Sequence, residues 1–325
     1  MYDITEIRDI HLEITNKCQA RCPMCARRTQ GGPLNPNMVL DEINLDTFKT
    51  WFPETFISQL WNLYMCGNLG DPIIAQDTLE IFKYIRSINP TMTLSMHTNG
   101  SARDLKWWEE LAKLDIKVIF GIDGLVDTHK LYRVDTDWNK IIGNARTFIN
   151  AGGTAEWHML VFKHNEHQVD ACELLSKKLG FASFKTKVTS RFVEDRFNVL
   201  DNDSNIIHIL YPSSISKPRI PIVNTSPITS IDCKAIKYKQ IYVSANGNVS
   251  PCCWLDMNHK SATQDRKIDY VNKISMFPSL KTQSLLEIFK SNYFNKINNA
   301  IDNNPLKECS RQCGVIDKLA SQFNS

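Results

Sequence analysis

Apolar and polar residues alternate in the first strong pattern of this chain. In the run IHLEIT, Ile10, Leu12 and Ile14 take one phase and His11, Glu13 and Thr15 the other, the period of two of a strand with unlike faces. Comparable strand-like runs return in LWNLYMC, TLSMHT, IKVIFGID, AEWHMLVF and SFKTKV. Between them lie longer stretches with helical spacing, namely IAQDTLEIFKYIRSI, ARDLKWWEELAKL, DWNKIIGNARTFINA and HQVDACELLSKKLG. In TLEIFKYI the apolar Leu79, Ile81, Phe82, Tyr84 and Ile85 form a single stripe. Strand and helix repeating in this way predict an α/β fold with a parallel sheet, open or curved into a barrel, and place function at the C-terminal ends of the strands.

The two phases predict different neighbours. Ile10, Leu12 and Ile14 on the first strand, with Trp61, Leu63 and Met65 on the second, would pack on the helices. The other phase carries His11, Glu13, Thr15, Asn62, Tyr64 and Cys66, continued by Ser95, His97, Glu156 and His158. A barrel interior lined by such groups predicts a reaction chamber instead of the close-packed aliphatic filling of a complete eight-stranded barrel, with a hydrogen-bonded core polar group as the alternative at any single position. The pattern dissolves over residues 188–232, where YPSSISKPRIPIVNTSPITS is dense in proline and serine and reads as a linker. Beyond it, the Asn-Gly of YVSANGNVSPC predicts a hairpin, and SLLEIFKSNYFNKINNAI predicts one late helix. The expected division is a core over residues 1–205, a linker over 206–232 and a small α+β domain over 233–325.

Composition narrows the function. The 325 residues are 42% hydrophobic and 22% charged with a net charge of +3, which gives no footprint for nucleic acid or an acidic membrane surface. No apolar run approaches the roughly 20 residues of a spanning helix. The charged start MYDITEIRDI lacks the apolar core of a signal peptide, so the expected location is the cytoplasm, with no membrane partner. There the ten cysteines point to metal or redox chemistry in preference to disulfides. Eight fall into two groups, Cys18, Cys22 and Cys25 after the first strand and Cys233, Cys252, Cys253, Cys309 and Cys313 near the end, while Cys66 and Cys172 stand alone.

Three thiols spaced C-x3-C-x2-C on one loop are one short of the four external ligands of a cubane 4Fe–4S cluster. They would hold three irons and leave the fourth open to a small molecule. With this stretch, CGNLGDP (Cys66 to Pro72), HTNG (His97 to Gly100) and GIDGLVDTHKLYR (Gly121 to Arg133) follow in order. Together they resemble the motifs of the radical S-adenosylmethionine (SAM) superfamily. The resemblance implies a partial (βα)6 TIM-like barrel in which Cys18, Cys22 and Cys25 hold a 4Fe–4S cluster. It implies that Met24, Gly70, Asp71, Thr98, Asn99, Asp123 and Arg133 surround SAM, Met24 by packing on adenine. Asp71 stands where the family more often has Glu, and Met24 where it often has an aromatic residue. Further implications are cleavage of SAM to a 5′-deoxyadenosyl radical, hydrogen abstraction from a substrate, and an electron supplied by reduced flavodoxin or ferredoxin. Cys66, Glu156 and His158, on the polar phase near this site, are the candidate catalytic residues.

The second cysteine group resembles the SPASM/twitch auxiliary-cluster domains of the same superfamily, with Cys233, Cys252, Cys309 and Cys313 as the implied ligands of a second 4Fe–4S cluster used for electron transfer. Four cysteines in a small hairpin domain also describe a zinc ribbon, and Cys253 is a fifth candidate ligand. A module that binds metal without turnover therefore remains the alternative to an enzyme. The substrate stays open between a peptide, a small polar metabolite and a nucleotide. EWHMLVFKHNEHQV also looks like phage-encoded members, which keeps a nucleobase or nucleotide reaction as an alternative.

Overall fold

The computed structural model describes residues 3–189, 191–192, 194–215, 228–256, 264–274 and 277–316. The alternating runs become β1 (Asp9–Leu12), β2 (Asn62–Met65), β3 (Thr93–Thr98), β4 (Ile116–Gly121), β5 (Thr154–Val161) and β6 (Ser183–Val188). They pair in sequence order, every pair parallel, as right-handed strand–helix–strand connections favour. The connecting helices include Thr78–Ile88, Leu105–Ala112, Trp138–Asn150 and Val169–Leu179, one for each helical stretch in the sequence. Ile10, Leu12, Leu63 and Met65 are buried in the main core between sheet and helices. The result is the expected partial (βα)6 architecture.

Four features depart from the sequence reading. Trp61, assigned to the helix-facing phase, is 71% exposed, with the Arg8 guanidinium 5.5 Å from its ring. It precedes β2, so the pleat does not dictate its direction. The late helical stretch is two helices, Leu285–Lys290 and Tyr293–Asn303. Ser291 ends the first in an extended conformation and Asn292 starts the second. Within the irregular region, β7 (Phe197–Leu200) and β8 (Ile206–Leu210) form an antiparallel hairpin that reaches into the stretch read as linker. Lastly, the lower interior is filled: His11 stacks on Tyr64 at 4.4 Å and meets Tyr242 edge-on at 4.9 Å. The polar phase thus packs as a hydrogen-bonded floor, and a cavity lies toward the C-terminal strand ends.

The C-terminal region adds to the same sheet. After β9 (Ile228–Ile231), β10 (Gln240–Val243) lies parallel to β1, with Asp9 opposite Gln240 and Leu12 opposite Val243. It then turns back into β11 (Val249–Ser250), through the predicted hairpin, with Gly247 at φ +83°, a left-handed conformation suited to glycine. A final strand, β12 (Gly314–Ile316), pairs with β9. The main sheet therefore runs β11-β10-β1-β2-β3-β4-β5-β6. Among the described residues, no helix is long and apolar enough to cross a membrane.

Candidate functional site

The loop after β1 carries Cys18, Cys22 and Cys25, each half-buried. It has no regular secondary structure and is pinned by specific bonds. The Arg21 backbone N–H donates to the Val134 carbonyl at 2.9 Å, and the Cys25 N–H to the Cys22 carbonyl at 3.0 Å. Arg27 Nε donates to the Asn16 carbonyl at 2.9 Å. The thiols lie close enough to influence one another: burial pushes Cys22 up to about 11, the Arg133 guanidinium opposes this, and Cys25 adds to it. The Asn99 side-chain nitrogen is 3.6 Å from Cys18 Sγ. Three soft donors on one pinned loop suit three corners of an iron–sulfur cubane and leave its fourth side to the neighbouring space.

That space is a cavity of about 230 Å³ lined in part by Gly67, Gly70, Asp71, Thr98, Asn99 and Arg133. Asp71 joins two of the turns: Oδ1 accepts from Thr98 Oγ1 at 2.8 Å, and Oδ2 from the Asn99 N–H at 2.7 Å. Oδ2 keeps capacity for a further donor such as an amine. Gly70 is required by close approach, since a Cβ there would stand 1.8 Å from the Thr15 carbonyl oxygen. Arg133 is held by Asp123, Nε to Oδ2 at 2.5 Å. Burial works against its charge, but Asp123 and then Cys22 keep it protonated. Asp123 is fully buried, and its Oδ1 accepts from the Leu160 N–H at 2.6 Å. It stands behind the wall and orients Arg133. Met24, expected against adenine, is buried with Tyr132, Phe162, Val199 and Leu210, outside the cavity lining.

The candidate catalytic residues separate. His158 lines the cavity; its Nε2 is 3.1 Å from Glu156 Oε2, and its Nδ1 has no partner among the described residues. Glu156 is set back, bridged by Lys185 at 2.9 Å and Lys117 at 3.6 Å. Burial opposes its ionisation, yet the bonds from Lys185 and His158 hold it down at about 2. Cys66 also lies outside the lining; burial pushes its thiol up to about 12, with Cys253 close by. Among the charged or titratable lining residues, His97 carries the polar phase of β3 as the sequence reading expects, and Lys187 is the one that reading does not name. Lys187 shares with Lys185 the alternate positions of β6, a signal that was available in SFKTKV.

A second, small cavity of about 20 Å³ brings together Cys233, Cys252, Cys309 and Cys313, walled by Trp254, Leu255, Ile297 and Ile301 among others. The thiols come from three segments: one before β10, one after β11 and one helix, Lys307–Cys313. Four thiols under an apolar cover are the donor set of a fully ligated cluster or of a zinc site, although among the described residues no three His, Cys, Asp or Glu side chains stand at metal-holding spacing. Cys253 does not line this pocket; its nearest influences include Asn68 and Glu13 on the barrel side.

Comparison with known proteins bears on the family and the fold. The profile of the radical SAM superfamily matches residues 12–175, and that of SPASM, an iron–sulfur cluster-binding domain, matches residues 233–314. No curated protein matches the chain. Among solved structures, SuiB of Streptococcus suis bound to S-adenosylmethionine aligns at a TM-score of 0.53 with 14% identity, over 94% of this chain and 68% of that one. SuiB bound to its precursor peptide SuiA aligns at 0.53 with 12% identity, over 94% and 67%. The protein anSMEcpe, bound to AdoMet and a peptide, aligns at 0.56 with 14% identity, over 94% and 89%. With one profile spanning half of its length and a second falling on the cysteine-rich end, this chain belongs to the radical SAM superfamily and carries a SPASM region.

Proposed function

We propose that this enzyme cleaves SAM reductively in the 230 Å³ cavity and uses the resulting radical to take a hydrogen atom from a polar substrate, a peptide being the first to test. Membership of the superfamily brings a 4Fe–4S cluster and SAM, and the SPASM region brings auxiliary iron–sulfur chemistry. Cys18, Cys22 and Cys25 would hold the first cluster, and Cys233, Cys252, Cys309 and Cys313 the second. When bound, the first cluster supplies the electron that splits SAM into methionine and a 5′-deoxyadenosyl radical.

The chain's own residues provide alignment and exclusion of water, the protein's part in such cofactor chemistry. Asp71 would accept from the SAM amine, Arg133 would meet its carboxylate, and Thr98 and Asn99 would border its ribose. His97, His158 and Lys187 line the same cavity and would face the substrate. The observation that carries this reading is the shared wall: Asn99 reaches Cys18 and Arg133 reaches Cys22, while both line the cavity. SuiB and anSMEcpe both hold peptides in solved structures, which supports a peptidyl substrate over a metabolite or nucleotide. The auxiliary cluster would carry electrons, with reduced flavodoxin or ferredoxin as donor to the enzyme. Anaerobically reconstituted protein given dithionite and SAM should release 5′-deoxyadenosine and methionine. Zinc in place of iron, with SAM left intact, would replace this reading by that of a metal-bearing binding module.

A further inference from the structure

The turn formed by residues 67–71 makes one wall of the cavity, and a single carboxylate holds it from behind. Glu13 Oε1 accepts from the Leu69 N–H at 2.6 Å and from the Gly70 N–H at 3.2 Å. Its other oxygen, Oε2, accepts from the Tyr242 hydroxyl at 2.5 Å. Tyr242 belongs to β10, which leads into the auxiliary hairpin. The same hydroxyl lies 3.2 Å from Asp256 Oδ2, four positions beyond Cys252, and 3.5 Å from the side-chain nitrogen of Asn68 in the turn itself. Asn68 also lies beside the Cys253 thiol. Glu13, Tyr242 and Asp256 are all buried, so bulk water does not break the connection. Burial, with Asp256 adding to it, pushes Glu13 up to about 7, against the hydrogen bonds from Tyr242 and from the turn.

We propose that Glu13 and Tyr242 are positioning residues through which the auxiliary cysteine segment sets the SAM-binding turn. This rests on the reading of the cavity as the SAM site. Glu13 needs both ends: two backbone N–H groups of the turn on one oxygen, and the hydroxyl from β10 on the other. A filled auxiliary site fixes the segment from Cys252 to Asp256, hence the Tyr242 hydroxyl, hence the carboxylate that shapes Gly70 and Asp71. Linkage makes the coupling reciprocal, so SAM should in turn favour the ordered auxiliary segment.

The test compares anaerobically reconstituted wild type with Tyr242→Phe, Glu13→Gln, the double variant and Cys252→Ala. Iron content, SAM dissociation constant, and KM and kcat for 5′-deoxyadenosine release are measured for each. Tyr242→Phe should keep the iron content of wild type and weaken SAM binding about threefold to tenfold, the scale of one buried hydrogen bond to a charged or strongly polar group. The loss should appear in KM for SAM, because the turn positions SAM and does not react. Glu13→Gln should weaken binding similarly, and the double variant should be less than additive. Cys252→Ala should reproduce the weaker SAM binding, and adding Tyr242→Phe to it should change little. If Tyr242→Phe fails to fold, Glu13→Gln alone and with Cys252→Ala carries the same comparison. An unchanged SAM dissociation constant in iron-replete Tyr242→Phe, or in Cys252→Ala, overturns the coupling. A wild type that neither binds nor cleaves SAM would instead overturn the assignment of the cavity.

Discussion

The two cysteine regions show opposite ways of assembling thiols. Cys18, Cys22 and Cys25 share one loop, remain half-buried and stand behind Asn99 and Arg133, which line a 230 Å³ cavity. Cys233, Cys252, Cys309 and Cys313 are far apart in sequence and meet in a 20 Å³ pocket under Leu255, Ile297 and Ile301. The first group is close because the sequence is close, and it needs the barrel only to aim it. The second exists only once a hairpin and the final helices have packed. Proximity in sequence thus goes with a site beside an open cavity, and assembly by packing with a closed one. Loss of a ligand should accordingly cost chemistry in the first region and structure in the second.

The largest expected effect falls on the first region. Cys22→Ala should abolish SAM cleavage, and alanine at Cys18, Cys22 and Cys25 together should lower iron from about eight to about four per chain while leaving the fold intact; SAM cleavage by the triple variant would refute the cluster assignment. In the second region, Cys252→Ala should lose the auxiliary iron and lower the melting temperature. Cys253→Ala should keep both clusters, since its thiol lies toward Asn68 and Glu13; iron counts and electron paramagnetic resonance separate the two. The reverse result would make Cys253 the ligand. A smaller effect is expected for Arg133→Lys, which loses the planar guanidinium held by Asp123. Iron should stay while kcat/KM for SAM cleavage falls about tenfold or more, and unaltered kinetics would remove Arg133 from the site.

The smallest effect serves as a control away from both regions. Asp9, at the start of β1, is raised by burial from 3.8 to about 6, partly offset by the Asn62 hydrogen bond, and its Oδ1 has no partner among the described residues. The folded state therefore favours protonated Asp9. Its contribution is full below 3.8 and is lost as pH rises through about 6. Asp9→Asn should flatten this part of the stability–pH curve, read by denaturant melts between pH 4 and 7, with iron content and SAM cleavage unchanged. A slope that persists in the variant would assign the dependence to another group.

What the sequence revealed follows the range of the interaction. β1 to β6 were readable because alternation is local, and the turn at Gly247 because its backbone needs that residue. The Cys18 loop was readable because its spacing is the chemistry. The pairing of β10 with β1 left no local trace: QIYV is a short apolar run that fits many partners. The floor of the barrel leaves two readings open in the sequence for the same reason. His11 and Tyr64 signal a polar phase, but their stacking under Tyr242 depends on a residue contributed from β10. Met24 is assigned to adenine by the family resemblance alone, and its side chain packs with Phe162 and Leu210.

The parallel pairing of Asp9 with Gln240 also has a consequence for synthesis. As the chain leaves the ribosome, β2 can join β1 early, but the opposite edge of β1 waits for most of the protein to be made. During that interval the unpaired backbone beside Ile10 and Leu12 is a template for wrong strands. Closing so long a loop slows completion of the sheet more than it lowers its final stability. A nascent chain stalled before β10 should therefore depend on chaperones far more than the finished one, although every strand from β1 to β6 is already present.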